Sequence, residues 1–438
     1  MSDLFFSIGK YITGFPNYAL MPIIIMLVGL ALGADLKKAF RSGILVGIGF
    51  IGIGMATAVF FGEVTPVAQN IVTNLGFGKE IVDVGWPVAA AIGFASQVGS
   101  AVFVIGILVN LIMLVTKLTK TVDVDIWNYW HWAFAGGIVA SVTGSFWWGC
   151  LAAAVYAVIT LLLGDYTAPM FQEYYGWPDI SMSHGGGMAI WLVQYPIIKL
   201  FDLLGWKNTE KESDLEKMRK NVGVFGDPTM VGLMVGLGLG ILSQIGGGND
   251  FYTALVATVK VGMNAAAVMF IIPKMVAILM EGLIPISDQA RIFLEKRFKG
   301  TDRKFYIGMD TALLLGDEMV LTLGIVMIPI TIAVGLLMPW NKIMPFGILP
   351  ALPYYMVILP PLTKGNFWKA IAVATVYVAI AFTFGTFMAP DVTAAAVASG
   401  YTLPEGMSTV GIDGNVVNFV MWRSEERRVG KECRSRWS

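Results

Sequence analysis

Six side chains stand where polar chemistry is hard to sustain: Asp83, Trp86, Gln97, His184, Asp310 and Asp317. Each falls in or beside an apolar run interrupted by glycine or proline. Asp83 leads the stretch from Val82 to Ser100, in which Gly85-Trp86-Pro87 breaks the backbone and a short apolar run ends in the polar patch Ser96, Gln97 and Ser100. His184 precedes Gly185-Gly186-Gly187, and glycines let backbone approach a ligand closely. Asp310 follows Gly308-Met309 and leads a second apolar stretch, broken again at Gly316-Asp317-Glu318. Ionisable groups within membrane segments are costly and are functional candidates by default. Asp83 and Asp310 also fit helix N-caps, a role compatible with binding. Trp86 reads equally as a stacking platform or an interfacial anchor, and Asp317-Glu318 as a buried pair or a polar bend.

Carboxylates, an amide, a histidine and an indole around one cavity suit a polyhydroxylated solute. The carboxylates accept hydroxyl donors, the indole covers the apolar face of the carbon chain, and a site that bonds each hydroxyl rejects analogues lacking one. A cation site is the rival chemistry. His131, between Trp130 and Trp132, fits an aromatic membrane-interface belt and is the weaker histidine candidate. Gly246-Gly247-Gly248 lacks the Gly-Lys-Ser/Thr ending of a phosphate-binding loop, so ATP-driven transport by this chain is not expected. Cys150 and Cys433 support neither a disulfide framework nor a metal site. No cofactor, metal or nucleic-acid partner is expected.

The elements that must hold these residues lie in lipid. The 438 residues are 56% hydrophobic and 14% charged, with a mean hydropathy of +0.71, whereas soluble domains carry about 25% charged residues. The expected fold is an all-α polytopic membrane protein of ten to eleven transmembrane helices with two re-entrant hairpins. Asp35, Lys37, Lys38 and Arg41 mark an inner loop, and Lys207 to Lys220 and Arg291 to Lys304 mark two more. The uncharged run Val84 to Val115 exceeds the roughly 20 residues of one crossing, so a hairpin over Gly85 to Ser100 plus a span accounts for it. Tyr306 to Leu337 reads the same way. Single crossings are expected over Ala135 to Leu163, Phe251 to Ile272 and Leu349 to Leu362. Met1 to Phe15 lacks the features of a cleavable signal peptide.

Val28-Gly29-Leu30-Ala31-Leu32-Gly33 recurs as Val235-Gly236-Leu237-Gly238-Leu239-Gly240, and each copy precedes a span, a charged loop and an acid-led broken segment. Loop charges orient the copies oppositely, so 1–222 and 223–422 read as inverted halves, an arrangement recurrent in transporters. Residues 423–438 carry six Lys/Arg and three Asp/Glu directly after membrane-like sequence, and read as a non-native tail that replaces a last span.

Several runs then carry a resemblance: Asp83-Val84-Gly85-Trp86-Pro87, Ala95-Ser96-Gln97, Val124-Asp125-Ile126-Trp127-Asn128-Tyr129-Trp130-His131, Ser183-His184-Gly185, Phe225-Gly226-Asp227-Pro228, Gln289-Ala290-Arg291 and Ala312-Leu313-Leu314-Leu315-Gly316. From about residue 18 to 390 the chain resembles the galactitol-type membrane component, enzyme IIC, of the bacterial phosphoenolpyruvate-dependent sugar phosphotransferase system, related to the ascorbate-type permeases. The resemblance implies a homodimer in the bacterial inner membrane, with a core domain moving solute past a scaffold domain. It implies phosphorylation inside by a phosphocysteine on a separate IIB protein, charged through IIA and an HPr-like carrier. His184 and Asp310 would bind solute hydroxyls, one of them helping to deprotonate the attacking hydroxyl. An ion-coupled secondary transporter and a membrane-embedded enzyme without transport are the other two readings.

Overall fold

The computed structural model describes residues 17–74, 79, 81–83, 85–99, 101–206, 227–297, 304–345, 348–398, 408–410 and 415–424. The expected inner loop over 207–220, and the tail from 425 onward, lie outside them. Helix α1 (Asn17–Ala31) turns at Gly33 into α2 (Leu36–Asn74). Later in the chain α8 (Pro228–Gln244) turns at Gly246 into α9 (Phe251–Arg297). These four helices pack on one another, α2 running antiparallel to α9. Gly49 and Gly52 of α2 face Leu279 and Met275 of α9, where absent side chains let the axes approach. Ion pairs Arg41–Glu281 (2.6 Å) and Glu63–Lys260 (2.9 Å) mark the two ends of the contact.

Between the hairpins run β1 (Ile81–Asp83), α3 (Gly85–Ala95), α4 (Val102–Val115), β2 (Thr121–Asp123), a 3-10 turn Ile126–Tyr129, α5 (Trp130–Thr143), α6 (Phe146–Tyr175), β3 (Ile180–Ser181) and α7 (Gly185–Leu203). After α9 come β4 (Tyr306–Gly308), a 3-10 segment Thr311–Gly316, α10 (Glu318–Leu337), β5 (Ile343–Met344), a 3-10 turn Leu349–Ala351, α11 (Leu352–Met356), α12 (Leu359–Thr363), α13 (Phe367–Ala398), β6 (Ser408–Val410) and α14 (416–424).

Among the described residues five helices are long and apolar enough to cross a bilayer: Leu36–Ala56, Phe146–Tyr175, Phe251–Ile286, Glu318–Leu337 and Phe367–Ala398. Three shorter apolar helices join them, Pro22–Ala31, Val102–Val115 and Thr229–Gln244. Three expected single crossings are built differently. Gly144, at φ +66°, splits Ala135 to Leu163 into α5 and α6. The crossing from Phe251 instead continues through Pro273 and Pro285 to Arg297. Leu349 to Leu362 is broken into short pieces carrying Pro353, Pro360 and Pro361, which cannot donate to a helical ladder.

The all-α expectation is also corrected, because two small parallel sheets are present, ordered β5-β1-β6 and β2-β4-β3. Their strands are two or three residues long, too short to print a period-two pattern on the sequence. Such strands satisfy broken backbone deep in the protein, where unpaired N–H and C=O groups would be costly. In the β2-β4-β3 sheet, pairing of Thr121 with Tyr306 and of Ile180 with Ile307 brings three chain segments to a common end. Each strand there leads toward a helix or 3-10 N-terminus.

Candidate functional site

The common end of β2, β4 and β3 delivers the site. Beyond β3, His184 caps α7: its Nδ1 accepts from Gly187 N–H at 3.0 Å, satisfying one orphan donor of the first turn. Beyond β4, Asp310 Oδ1 accepts from Ala312 N–H at 2.9 Å. The two caps converge, with His184 Nε2 3.7 Å from Asp310 Oδ1 and both side chains only partly exposed. Beyond β2 comes a run of buried polar groups. Asp123 accepts from the Ser183 hydroxyl (2.9 Å) and Asp125 N–H (3.1 Å), and Asn128 Nδ2 donates to both oxygens of Asp125 at 2.9 Å. Trp130 Nε1 donates to Asn128 Oδ1 at 3.2 Å.

His131 completes the group. It is buried, its ring stacks on Trp130 with centroids 3.6 Å apart, and its Nε2 lies 3.4 Å from His184 Nε2. The α7 glycines make this approach possible, since a Cβ at Gly185 would fall 2.7 Å from His131 Cβ, and one at Gly186 2.6 Å from His131 Cε1.

A cavity of about 730 Å³ opens in front of these residues. His131, His184, Asp310 and Asn128 supply its polar wall, Trp86, Trp130, Tyr354 and Tyr355 its aromatic wall, and Phe50, Ile53 and Met55 of α2 its far side. Trp86 lies 6.4 Å from Trp130 and 6.5 Å from Tyr354 between ring centroids. The volume is that of a small-molecule pocket, about 300–1,000 Å³. No Lys or Arg lines it among the described residues. The first turns starting at Gly185 and Thr311 direct backbone N–H groups to His184 and Asp310 there.

Proton positions follow from the caps. Because His184 Nδ1 accepts a backbone N–H, the neutral ring carries its proton on Nε2, directed toward Asp310 and His131. His131 Nε2 then accepts, and its own proton sits on Nδ1, which is buried without a partner. Oxygen or nitrogen atoms of Asp125, His184 and Asp310 lie within 4.8 Å of one another, close enough to surround a cation. The tautomer disfavours that use: a metal-binding imidazole donates through its second nitrogen, whereas Nδ1 of His184 accepts and leaves no lone pair on Nε2.

Three of the six residues singled out from the sequence, Trp86, His184 and Asp310, line this cavity together. The other three do not. Asp83 is buried at the end of β1, where Oδ1 accepts from Gly85 N–H at 3.0 Å and Oδ2 from Ile348 N–H. Asp317 caps α10, accepting from Val320 N–H at 3.0 Å. Gln97 is exposed beside a separate cavity of about 330 Å³ shared with Ser96 and Ser141. Asn128, Trp130 and His131 were not singled out for the site, although all three lie in the Asp-Ile-Trp-Asn-Tyr-Trp-His run. Their polar spacing was the available signal, and the surrounding tryptophans masked it as an interface belt.

A membrane protein whose broken segments meet at a solute-sized, aromatic-walled polar cavity is a permease in its build. Its sequence relatives agree: the family described as PTS system sugar-specific permease component (EIIC-GAT) matches residues 11–406, and this chain belongs to that family. The galactitol-specific EIIC component of Escherichia coli (strain K12) is 31% identical over 383 residues, covering 87% of this chain and 82% of that one. The component of the same name from Escherichia coli O157:H7 matches to the same extent. A protein of Escherichia coli (strain K12) bearing a permease IIC component name is 32% identical over 395 residues, 90% of this chain and 87% of its own length. Family membership makes the chain a membrane permease of the phosphotransferase system and implies a IIB partner.

Proposed function

We propose that this permease carries a galactitol-like hexitol, holds it against His184 and Asp310, and presents it at the inner face to the phosphocysteine of IIB, itself charged through IIA and an HPr-like carrier. The observation that carries this reading is the convergence of two helix caps, 3.7 Å apart, on a cavity walled by Trp86, Trp130 and Tyr354. A polyol presents hydroxyls along one edge and C–H groups along its faces, matching a wall of donors and acceptors opposite indole and phenol rings. His184 Nε2–H, which faces His131 Nε2 in this structure, turns to a solute oxygen when the polyol enters. Asp310 is the base: it takes the proton of the attacking hydroxyl as the O–P bond forms, the S–P bond breaks and the cysteine thiolate leaves.

The same proposal includes a homodimer of inverted halves, 1–222 and 223–422, each with a re-entrant segment, and a core domain moving against a scaffold formed by α1, α2, α8 and α9. In this count the half-length helices contribute to ten or eleven membrane segments. The strand orders support the repeat. Exchanging β1 with β4, β2 with β5 and β3 with β6 converts β5-β1-β6 into β2-β4-β3, so each sheet pairs the central strand of one half with two strands of the other. Asp83 ends one central strand, and Asp310 comes just after the other.

Uptake into vesicles tests the function. Phosphorylated galactitol should accumulate only with IIB and a phosphoryl donor, and His184→Ala and Asp310→Asn should each abolish uptake while the purified protein stays folded. Ionophore-sensitive accumulation of unmodified solute would refute the proposal, and wild-type transport by either variant would remove that residue from the site.

A further inference from the structure

The first turn of α7 contains three consecutive glycines, which leave the backbone freer than any other residue type. A donor held at a fixed place by His184 therefore needs this turn anchored from outside. Tyr156 of α6, fully buried, donates its hydroxyl to the carbonyl of Gly185, the residue immediately after His184, at 3.2 Å. Asn415, also buried, donates through Nδ2 to the same hydroxyl oxygen. Its Oδ1 accepts from Asn418 N–H at 3.0 Å, which caps α14 and settles which end of the amide faces Tyr156. The direction of the chain is thereby determined: an NH2 group only donates, so the Tyr156 oxygen accepts and its proton points to Gly185. Helix α14 is itself seated on α13, with Phe419 4.1 Å from Phe384 between ring centroids and Trp422 Nε1 donating to Asp391.

We infer that Tyr156 and Asn415 are positioning residues for His184, so that the start of α14 helps to hold the solute-binding turn through one directed hydrogen-bond chain. The inference rests on the reading of His184 as a solute donor. Two variants separate it from a purely structural role. Tyr156→Phe keeps the ring and removes the donor to Gly185. Asn415→Asp keeps the cap of α14, since Asp caps as well as Asn, but turns the donor into an acceptor that draws the Tyr156 proton away from Gly185. A residue that only caps α14 would tolerate Asn415→Asp.

The test is galactitol uptake, with IIB and a phosphoryl donor present, by the full-length wild type, His184→Ala, Tyr156→Phe, Asn415→Asp and the double variant. The expected result is a loss of kcat/KM of about tenfold in each single variant at Tyr156 or Asn415, the scale of one buried hydrogen bond lost. The double variant should be no worse than either single one, because both cut the same chain. Tyr156→Phe carries the test if a buried carboxylate stops Asn415→Asp from folding. Wild-type uptake by Tyr156→Phe, or additive losses in the double variant, would overturn the inference. Wild-type uptake by His184→Ala would instead overturn the functional reading beneath it.

Discussion

Adding one methyl group at Gly186 should disable the site while leaving the fold intact. A Cβ at this position would lie 2.6 Å from His131 Cε1, 3.1 Å from His131 Nε2 and 3.3 Å from His184 Cε1. Carbon atoms pack at about 3.5–4.0 Å, so the His131 ring must retreat by roughly 1 Å. It has little room, because it is buried and stacked 3.6 Å from Trp130 between ring centroids. Overpacking of this kind costs about 1–3 kcal/mol of stability, and a displacement of about 1 Å in a site can cost on the order of 10² in rate. Gly186→Ala should thus remain folded, melt at a lower temperature, and take up its solute about 10- to 100-fold more slowly. Gly238→Ala in α8 is the control, since an added methyl there would meet nothing within 4 Å and alanine is the better helix former. Uptake kinetics and thermal unfolding in detergent of the two variants provide the comparison. Wild-type KM and maximal rate in Gly186→Ala would refute the argument that the spacing of His131 and His184 matters to solute handling.

Two further outcomes concern how the fold is held. Asp83→Asn should lower stability by about 1–3 kcal/mol, because an amide oxygen can serve only one of the Gly85 and Ile348 N–H groups that the carboxylate serves together. The KM for solute should stay unchanged because Asp83 does not line the cavity, and a raised KM would restore it to the solute site. Lys369 is fully buried and donates to Asp202 and to the Trp206 carbonyl (2.8 Å), whereas the Asp202 side chain is 33% exposed. Removing the acid strands a buried ammonium and removing the base leaves a carboxylate that reaches water, so Asp202→Asn should destabilise more than Lys369→Met, up to about 3–5 kcal/mol. Equal melting temperatures for the two variants would contradict that asymmetry.

The membrane class, the broken acid-led segments and the candidacy of His184 and of Asp310 were legible in the residues themselves, whereas only the family resemblance set those two together. Each rests on a local signal: a long uncharged run, a glycine or proline inside it, a lone ionisable group beside the break. The Gly185-Gly186-Gly187 run was legible as a place of close approach, though not what approaches. That partner is His131, 53 positions before His184, and its neighbours Trp130 and Trp132 describe a lipid interface as well as they describe a buried wall. Only pairing of β2 and β3 on β4 separates the two, by carrying the segment after Asp123 to the start of α7. Strands this short have no periodicity to read, so the sequence does not show which segments pair. Asp310, just beyond β4, lines the cavity, while Asp83, the last residue of β1 in the other sheet, serves the N–H groups of Gly85 and Ile348. Residue type sets what a side chain is able to do, and the meeting of distant segments sets what it is near enough to do it to.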